Sequence, residues 1–350
     1  MLAKLFLLAN PRAVIHTAGM EDPRHVLEAP THADPYGWYA RLRVSRPIHF
    51  EQALGLWVVS GPYLVQQALA QPLLRVRPPA EPVPRALQGR PVGEVFAQLV
   101  RMNDGEFHAR HRPDVAASAA RFGEGSVAVA AEAAARDLAP RTEANALLSA
   151  IPVQAMARLL GVADMDLDRT VDWVHDFTQG IAAGASEEAI ARADAAALAL
   201  MEQGERAGLS GARAANRIAF MQQALDATAG LLGNAIRAAQ LQGDAAMGAG
   251  ELVARAAHAD PAVHNTRRFA ATDLELGGEQ ITAGQGLVLV LVPETPFGHG
   301  AHACPGERIA MQIAATALRT LQSLAPLSRM FGAIRGYRPL PNARIPVFAN

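Results

Sequence analysis

Cysteine is almost absent from this chain: one thiol, Cys304, in 350 residues. A lone thiol cannot close an internal disulfide, so no covalent framework staples the fold, and the usage fits a reducing compartment. An excess of either charge is also lacking. Lys and Arg number 32 against 33 Asp and Glu, and no long basic run occurs, which argues against nucleic acid as a partner. Long apolar runs are missing as well. The burst from Leu5 to Ala9 is too short to span a bilayer and carries no convincing cleavage site. These absences predict a soluble, cytoplasmic protein without a membrane partner.

What is present is enough apolar residue, half of the chain, to bury a sizeable core. The texture is alanine-rich and mostly helical. DPYGWYARLR (Asp34 to Arg43) reads as an amphipathic helix, and PIHFEQALGLWVVSG (Pro47 to Gly61) as a hairpin around a glycine turn. Gly61-Pro62 opens a further helix through Leu69, while Arg75 to Pro91 carries too many prolines for anything but an extended loop. Helical spacing returns from Glu94 to Met102 and through FHARHR, then dominates from Val115 to Gln242. Past Asp260-Pro261 the texture changes to β-branched residues and Gly-Gly or Gly-Gln-Gly turns, which predicts short strands. One long helix follows Gly306 to about Leu324, and the tail is extended. No linker interrupts the pattern, so the expectation is one domain over residues 1–350, mainly α with a small β-sheet.

The lone cysteine lies in FGHGAHACPGE, Phe297 to Glu307. A helix starting at Pro305 or Gly306 aims free N–H groups and its positive dipole end at Cys304, which favours thiolate. Gly298, Gly300 and Gly306 permit tight turns and close approach of a flat ligand, and Pro305 suits a first helical turn. Such a thiolate serves as nucleophile or metal ligand, against the bland alternative of a packed structural cysteine. His299 and His302 cannot complete a zinc site, and a cysteine-protease partner histidine cannot be inferred from spacing. Axial ligation of an iron held by a macrocycle is the reading that remains.

The loop resembles the haem-binding loop of the cytochrome P450 family, Phe-Gly-x-Gly-x-His-x-Cys-x-Gly, at Phe297, Gly298, Gly300, His302, Cys304 and Gly306. The resemblance implies that Cys304 is the proximal thiolate ligand of haem b iron and that Phe297 packs beside the sulfur. It implies that haem lies between a long central helix and the helix after the cysteine loop. His108 and Arg112, four apart on one helix face, look like the family's His-x-x-x-Arg propionate pair. Arg268 falls where an arginine contacts the second propionate, Arg267 being its solvated neighbour, and His302 is a third candidate donor. The likeness extends over nearly the whole chain.

Three departures accompany it. LLGN (Leu231 to Asn234) resembles a run following the family's acid–alcohol motif, and that register puts Asp226 at the acid, Ala227 at the alcohol and Thr228 one residue beyond. Asp226 and Thr228 are therefore the candidate catalytic residues, with the usual hydroxyl lost. The family's Glu-x-x-Arg pair becomes Arg255 and His258, so no such bridge forms there; Glu251 with Arg255 is a possible shifted substitute. The segment between GLVLVLV (Gly286 to Val292) and the cysteine loop lacks the family's long meander, and Gly230 to Asp260 is compressed. The resemblance implies a monooxygenase acting on a small to medium hydrophobic substrate with dioxygen and electrons from a ferredoxin-type partner. The competing expectation is a degenerate relative that binds haem or recruits partners without efficient oxygen activation. The substrate pocket is expected among the Arg75 to Pro91 loop, helices near Phe177 to Ile190, Ala224 to Gly230, and the segment after Pro261.

Overall fold

The structure, a computed structural model, describes residues 21–242 and 247–349; the Leu5 to Ala9 burst lies outside them. Helix α1 (Tyr36–Ser45) leads into a hairpin of β1 (Ile48–Glu51) and β2 (Leu56–Val59), and α2 (Pro62–Ala70) follows. The proline-rich stretch is extended, holding only the end of β3 (Leu74–Arg75) and a 3-10 turn at Arg85–Leu87. Helix α3 (Pro91–Ala97) begins earlier than the spacing predicts, because Pro91 opens its first turn, and it gives way to a 3-10 turn at Val100–Met102.

The helical body then runs through α4 (Gly105–Ala120), α5 (Glu124–Leu138), α6 (Ala144–Leu159), α7 (Leu167–Gly180), α8 (Glu187–Arg206), α9 (Gly211–Gln242) and α10 (Ala249–Ala259). Strands β4 (Asn265–Ala270), β5 (Leu274–Leu276), β6 (Glu279–Ile281) and β7 (Gly286–Val290) come next. Helices α11 (Glu307–Leu324) and α12 (Leu327–Met330) and the pair β8 (Ile334–Tyr337) and β9 (Pro346–Phe348) close the chain. Among the described residues no helix is long and apolar enough to cross a membrane.

Helices α5, α6, α9 and α11 pack on one another and α7 lies along α8. The apolar stripe of α11 shows why: Ile309, Ile313, Ala317 and Leu321 recur every four residues and are all buried. The main sheet runs in the order β1-β2-β7-β4-β3. All its pairs are antiparallel except β2 with β7, where Trp57 lies opposite Leu287. Strand β7 is buried along its whole length and delivers the chain straight into the cysteine loop, without a meander.

Helix α9 spans 32 residues and forms the axis of the fold. Two glycines in its second half admit the C-terminal segment. A Cβ at Gly230 would stand 2.8 Å from the Arg344 carbonyl oxygen, and one at Gly233 would stand 2.6 Å from Pro346 Cγ. Asn234 Nδ2 beside them donates to the Asp260 carbonyl at 2.7 Å. The LLGN run thus clamps the end of α10 and the tail onto the central helix.

The bracing expected from Glu251 and Arg255 does not form. Glu251, Arg255 and His258 are all exposed on α10, and the Arg255 guanidinium approaches Met247 Sδ instead of a carboxylate. A different buried ion pair stands one turn on. Asp260 accepts from Arg344 Nε and from Arg237 Nη1, each at 2.8 Å, and the Tyr36 hydroxyl donates to it as well. The Arg344 side chain is 1% exposed, lies 3.5 Å above the Tyr337 ring, and donates to the carbonyls of Pro30, His32 and Ala33. Burial alone would push the Asp260 carboxyl up, but Arg344, Tyr36 and Arg237 together hold it below its ordinary value.

Removing one partner of such a pair leaves a buried charge uncompensated. Arg344→Met should lower unfolding stability by about 3–5 kcal/mol in denaturant titrations. Because the folded carboxyl is depressed, the contribution of Asp260 is complete at neutral pH and is lost as pH falls below its ordinary value of 3.8 and through the lower folded one. That acid-limb loss should be smaller in Arg344→Met, where the carboxyl is less depressed.

Candidate functional site

The cysteine loop is built by turns that its glycines make possible. Gly298 and Gly300 have φ of 75° and 70°, in the left-handed region that disfavours side chains. Gly300 also presses against α2, where an added Cβ would lie 3.2 Å from the Leu69 carbonyl oxygen. Gly306 differs from the expectation: its φ is −102°, so backbone geometry does not demand glycine there. The Cys304 N–H donates to the Phe297 carbonyl at 2.9 Å, which folds the loop back on itself and sets Phe297 beside the cysteine. Helix α11 starts at Glu307 with Gly306 as its N-cap, as the sequence implies.

Cys304 is exposed, with one side open. The helix start does not lower its thiol as expected. Burial against the surrounding loop pushes the thiol up, and the Gly306 backbone N–H and Arg112 offset this only in part. Among the described residues no group of three His, Cys, Asp or Glu side chains could hold a metal ion. A metal at Cys304 would therefore take its remaining ligands from a bound group.

Three of the sequence-derived candidates gather around the cysteine loop, and Arg268 lies toward Asp104. Arg112 Nη2 donates to the Ala303 carbonyl at 2.5 Å, tying α4 to the residue before the cysteine. His108, one turn earlier on α4, stacks on His302 with ring centroids 4.3 Å apart. His302 Nε2 is 3.0 Å from Asp104 Oδ1, and Asp104 Oδ2 accepts from the Val76 N–H at 2.9 Å. Asp104, which sequence reasoning missed, thus couples the cysteine loop to the start of α4 and to the proline-rich stretch. Arg268 is 4% exposed on β4 and donates only to Thr266 Oγ1 and the Arg267 carbonyl, while Arg267 is exposed. Neither Arg112 nor Arg268 pairs with a carboxylate among the described residues. Burial lowers both guanidiniums, the response of cations held away from water without an anion.

On the opposite wall, α9 carries the two catalytic candidates. Asp226 is half-buried, and burial raises its carboxyl, with Arg338 and His175 pulling the other way. Thr228 is 2% exposed. Two residues along a helix are about 200° apart, so Asp226 and Thr228 project from opposite sides and make no acid–alcohol pair. Gln223 and Ala227 are exposed and half-exposed on a helix whose neighbouring Leu225, Thr228 and Ala229 are buried, so α9 borders open space here. A separate cleft of about 280 Å³ lies between α4 and α11, lined by Arg112, Ala116, Ala120, Pro305 and Arg308 among others.

His108 offers a direct check on this geometry. Burial, His302 and Arg112 lower its imidazole to about 4, so it is neutral at pH 7 in the folded chain. The unfolded imidazole, near 6.5, takes its proton first, so stability falls as pH drops from there toward 4. NMR of the haem-free protein should show a His108 ring that does not titrate above pH 5. Gly300→Ala should cost about 1–2 kcal/mol from its left-handed backbone, measured by chemical denaturation.

No protein-family model matches the sequence, and no curated protein matches it. Solved structures do. CalO2 is 20% identical with a TM-score of 0.76, covering 94% of this chain and 97% of its own. P450BioI, solved in complex with an acyl carrier protein bearing hexadec-9Z-enoic acid, is 19% identical with a TM-score of 0.72, covering 90% and 97%. CYP154A1 from Streptomyces coelicolor is 18% identical with a TM-score of 0.69, covering 91% and 97%. A mainly helical body, a small mixed sheet feeding a cysteine loop, and superposition on these structures over nine-tenths of its length give this chain the cytochrome P450 fold.

Proposed function

We propose that this protein is a haem-thiolate monooxygenase that holds haem b through Cys304. One observation carries the reading: Cys304 stands beside Arg112, His302 and His108, with Arg268 on the far side of Asp104, and the two arginines have no carboxylate partner among the described residues. Buried cations of this kind call for anions, and an iron porphyrin brings two propionates. The residues present therefore fit the group. Cys304 would ligate the iron, Arg112 and His108 would hold one propionate, and Arg268 with His302 the other. Phe297 and Gly298 would shape the loop under the ring.

When bound, haem with thiolate ligation supplies dioxygen binding and favours cleavage of the O–O bond. The chain's own contribution is to place protons and exclude water. Asp226, its carboxyl raised by burial, is the residue suited to pass protons inward from the side of His175. Ala227 offers no hydroxyl to continue that path, and Thr228 is buried on the far side of α9. The last transfer then falls to ordered water or to a hydroxyl of the substrate. The cleft beside Arg112 and Arg308 gives an acidic, ferredoxin-type electron donor a basic place to dock within reach of the cysteine loop.

A second reading has a specific observation in its favour. With Ala227 at the alcohol position, the chain could bind haem and act as a recruitment module without efficient oxygen activation.

Reduction under carbon monoxide should give the red-shifted Soret band from which the cytochromes P450 take their name. Cys304→Ala should abolish that band while circular dichroism stays unchanged. A purified protein without haem absorbance would overturn the proposal. Asp226→Asn should lower donor-driven turnover by about a hundredfold and peroxide-driven turnover much less, since peroxide brings its own protons. No turnover in either assay by a haem-loaded protein would favour the recruitment module.

A further inference from the structure

Beyond the proposed haem contacts, Arg101 and Arg217 are further arginines without a carboxylate partner among the described residues, and Arg101 is the one that stands beside the cysteine-loop contacts. Arg101 stands in the 3-10 turn at Val100–Met102, three residues before Asp104, the residue that holds His302 of the cysteine loop. Its guanidinium reaches across to α9, where Nη2 donates to Gln222 Oε1 at 2.8 Å. Gln222 is one turn before Asp226 and next to the exposed Gln223, so Arg101 ties the turn before α4 to that stretch of the central helix. Nη1 finds only Met102 Sδ at 3.9 Å, and the buried Nε has no hydrogen-bond partner. Among the described residues no carboxylate pairs with this guanidinium, whereas arginines such as Arg90 and Arg141 each hold two acids.

The turn that carries Arg101 is fixed before any ligand arrives. Asn216 of α9 accepts from the Val100 N–H at 3.0 Å and donates to the Gln98 carbonyl at 3.0 Å. Asn103 Nδ2 closes the other side on the carbonyls of Ala97 and Leu99, at 2.9 and 2.8 Å. Arginine is rarely withdrawn from water without an anion, and a buried donor left unmatched is costly. Here the backbone is pinned from both sides, and a neutral amide oxygen is the strongest partner offered. The planar fork suits a carboxylate or a phosphate, which it can bind through two parallel hydrogen bonds.

We propose that Arg101 receives the anionic head group, carboxylate or phosphate, of an otherwise apolar substrate, with Gln222 holding the guanidinium in place. This rests on reading α9 and the cysteine loop as the walls of the haem cleft. Half-buried Met102 beside the guanidinium and half-exposed Ala227 on α9 would supply apolar surface for the remainder of the molecule. The head group anchored at one end would set which carbon of the chain lies over the reactive centre.

The test uses the full-length, haem-loaded protein and three probes of one chain length: decanoate, decyl phosphate and methyl decanoate. Calorimetry gives affinities and the Soret shift reports entry beside the haem. At least one of the two anions should bind tenfold or more tighter than the ester, and which one does identifies the head group. Arg101→Gln should erase that preference at unchanged haem content, and Arg101→Lys should restore part of it. Equal affinity of all three probes for the wild type would overturn the proposal. Loss of haem from Arg101→Gln with circular dichroism intact would also overturn it, because Arg101 would then be a propionate ligand. If the wild type bound no haem, the function proposed above would fail on its own, and the anion-against-ester comparison by calorimetry would still decide the role of Arg101.

Discussion

Four separate stretches of chain meet at the contact between Asp260 and Arg344, and the site depends on their meeting there. Asp260 ends α10, Arg237 comes from α9, Arg344 from the tail, and Tyr36 from the start of α1. A buried ion pair contributes little net stability over well-packed apolar residues, so its effect here is positional. It fixes where α10 stops and hence where β4 begins, and β4 carries Arg268. The same contact holds the tail against Gly230 and Gly233 and so sets the roll of α9, which decides that Gln222 and Asp226 border the cleft. The brace stands at the end of α10, while Glu251 and Arg255 earlier on that helix stay exposed.

The cluster around Cys304 shows a second constraint, the imbalance of charge. Arg101, Arg112 and Arg268 have no carboxylate partner among the described residues, and the acid nearest this part of the chain, Asp104, is already committed to His302 and the Val76 N–H. Elsewhere the chain balances its charges locally, as in the networks of Arg141 with Asp137 and Asp168 or Arg90 with Glu187 and Asp194. Under the proposed reading, the unmatched positive charge here is met by the anionic groups of what the site binds.

Much of this was legible in the sequence because its signals are local. The glycine spacing around Cys304, the Gly61-Pro62 helix start and the turn-rich strands after Pro261 each depend on a few adjacent residues, and each element formed where expected. Position 306 was misjudged because a motif position does not reveal φ. A helix start beside Cys304 is legible in the sequence, whereas the burial that raises its thiol depends on residues far along the chain. Asp104, Arg101 and the Asp260–Arg344 pair were missed for the same reason. Each has at least one partner more than eighty residues away, and single acids and arginines carry no periodic signature. The relation of Asp226 to Thr228 needed only helix geometry, and it limits what Thr228 can do.

The direct passage from β7 into the cysteine loop has a consequence for how the protein is made. Strand β7 is held on one side by β2, through the parallel pairing of Trp57 with Leu287, and parallel strands so distant in sequence come together late in folding. With no intervening meander to fold independently, the thiol acquires its position only when β2 has closed on β7. Haem bound at Cys304, as proposed, would then find its seat complete only after that pairing has closed.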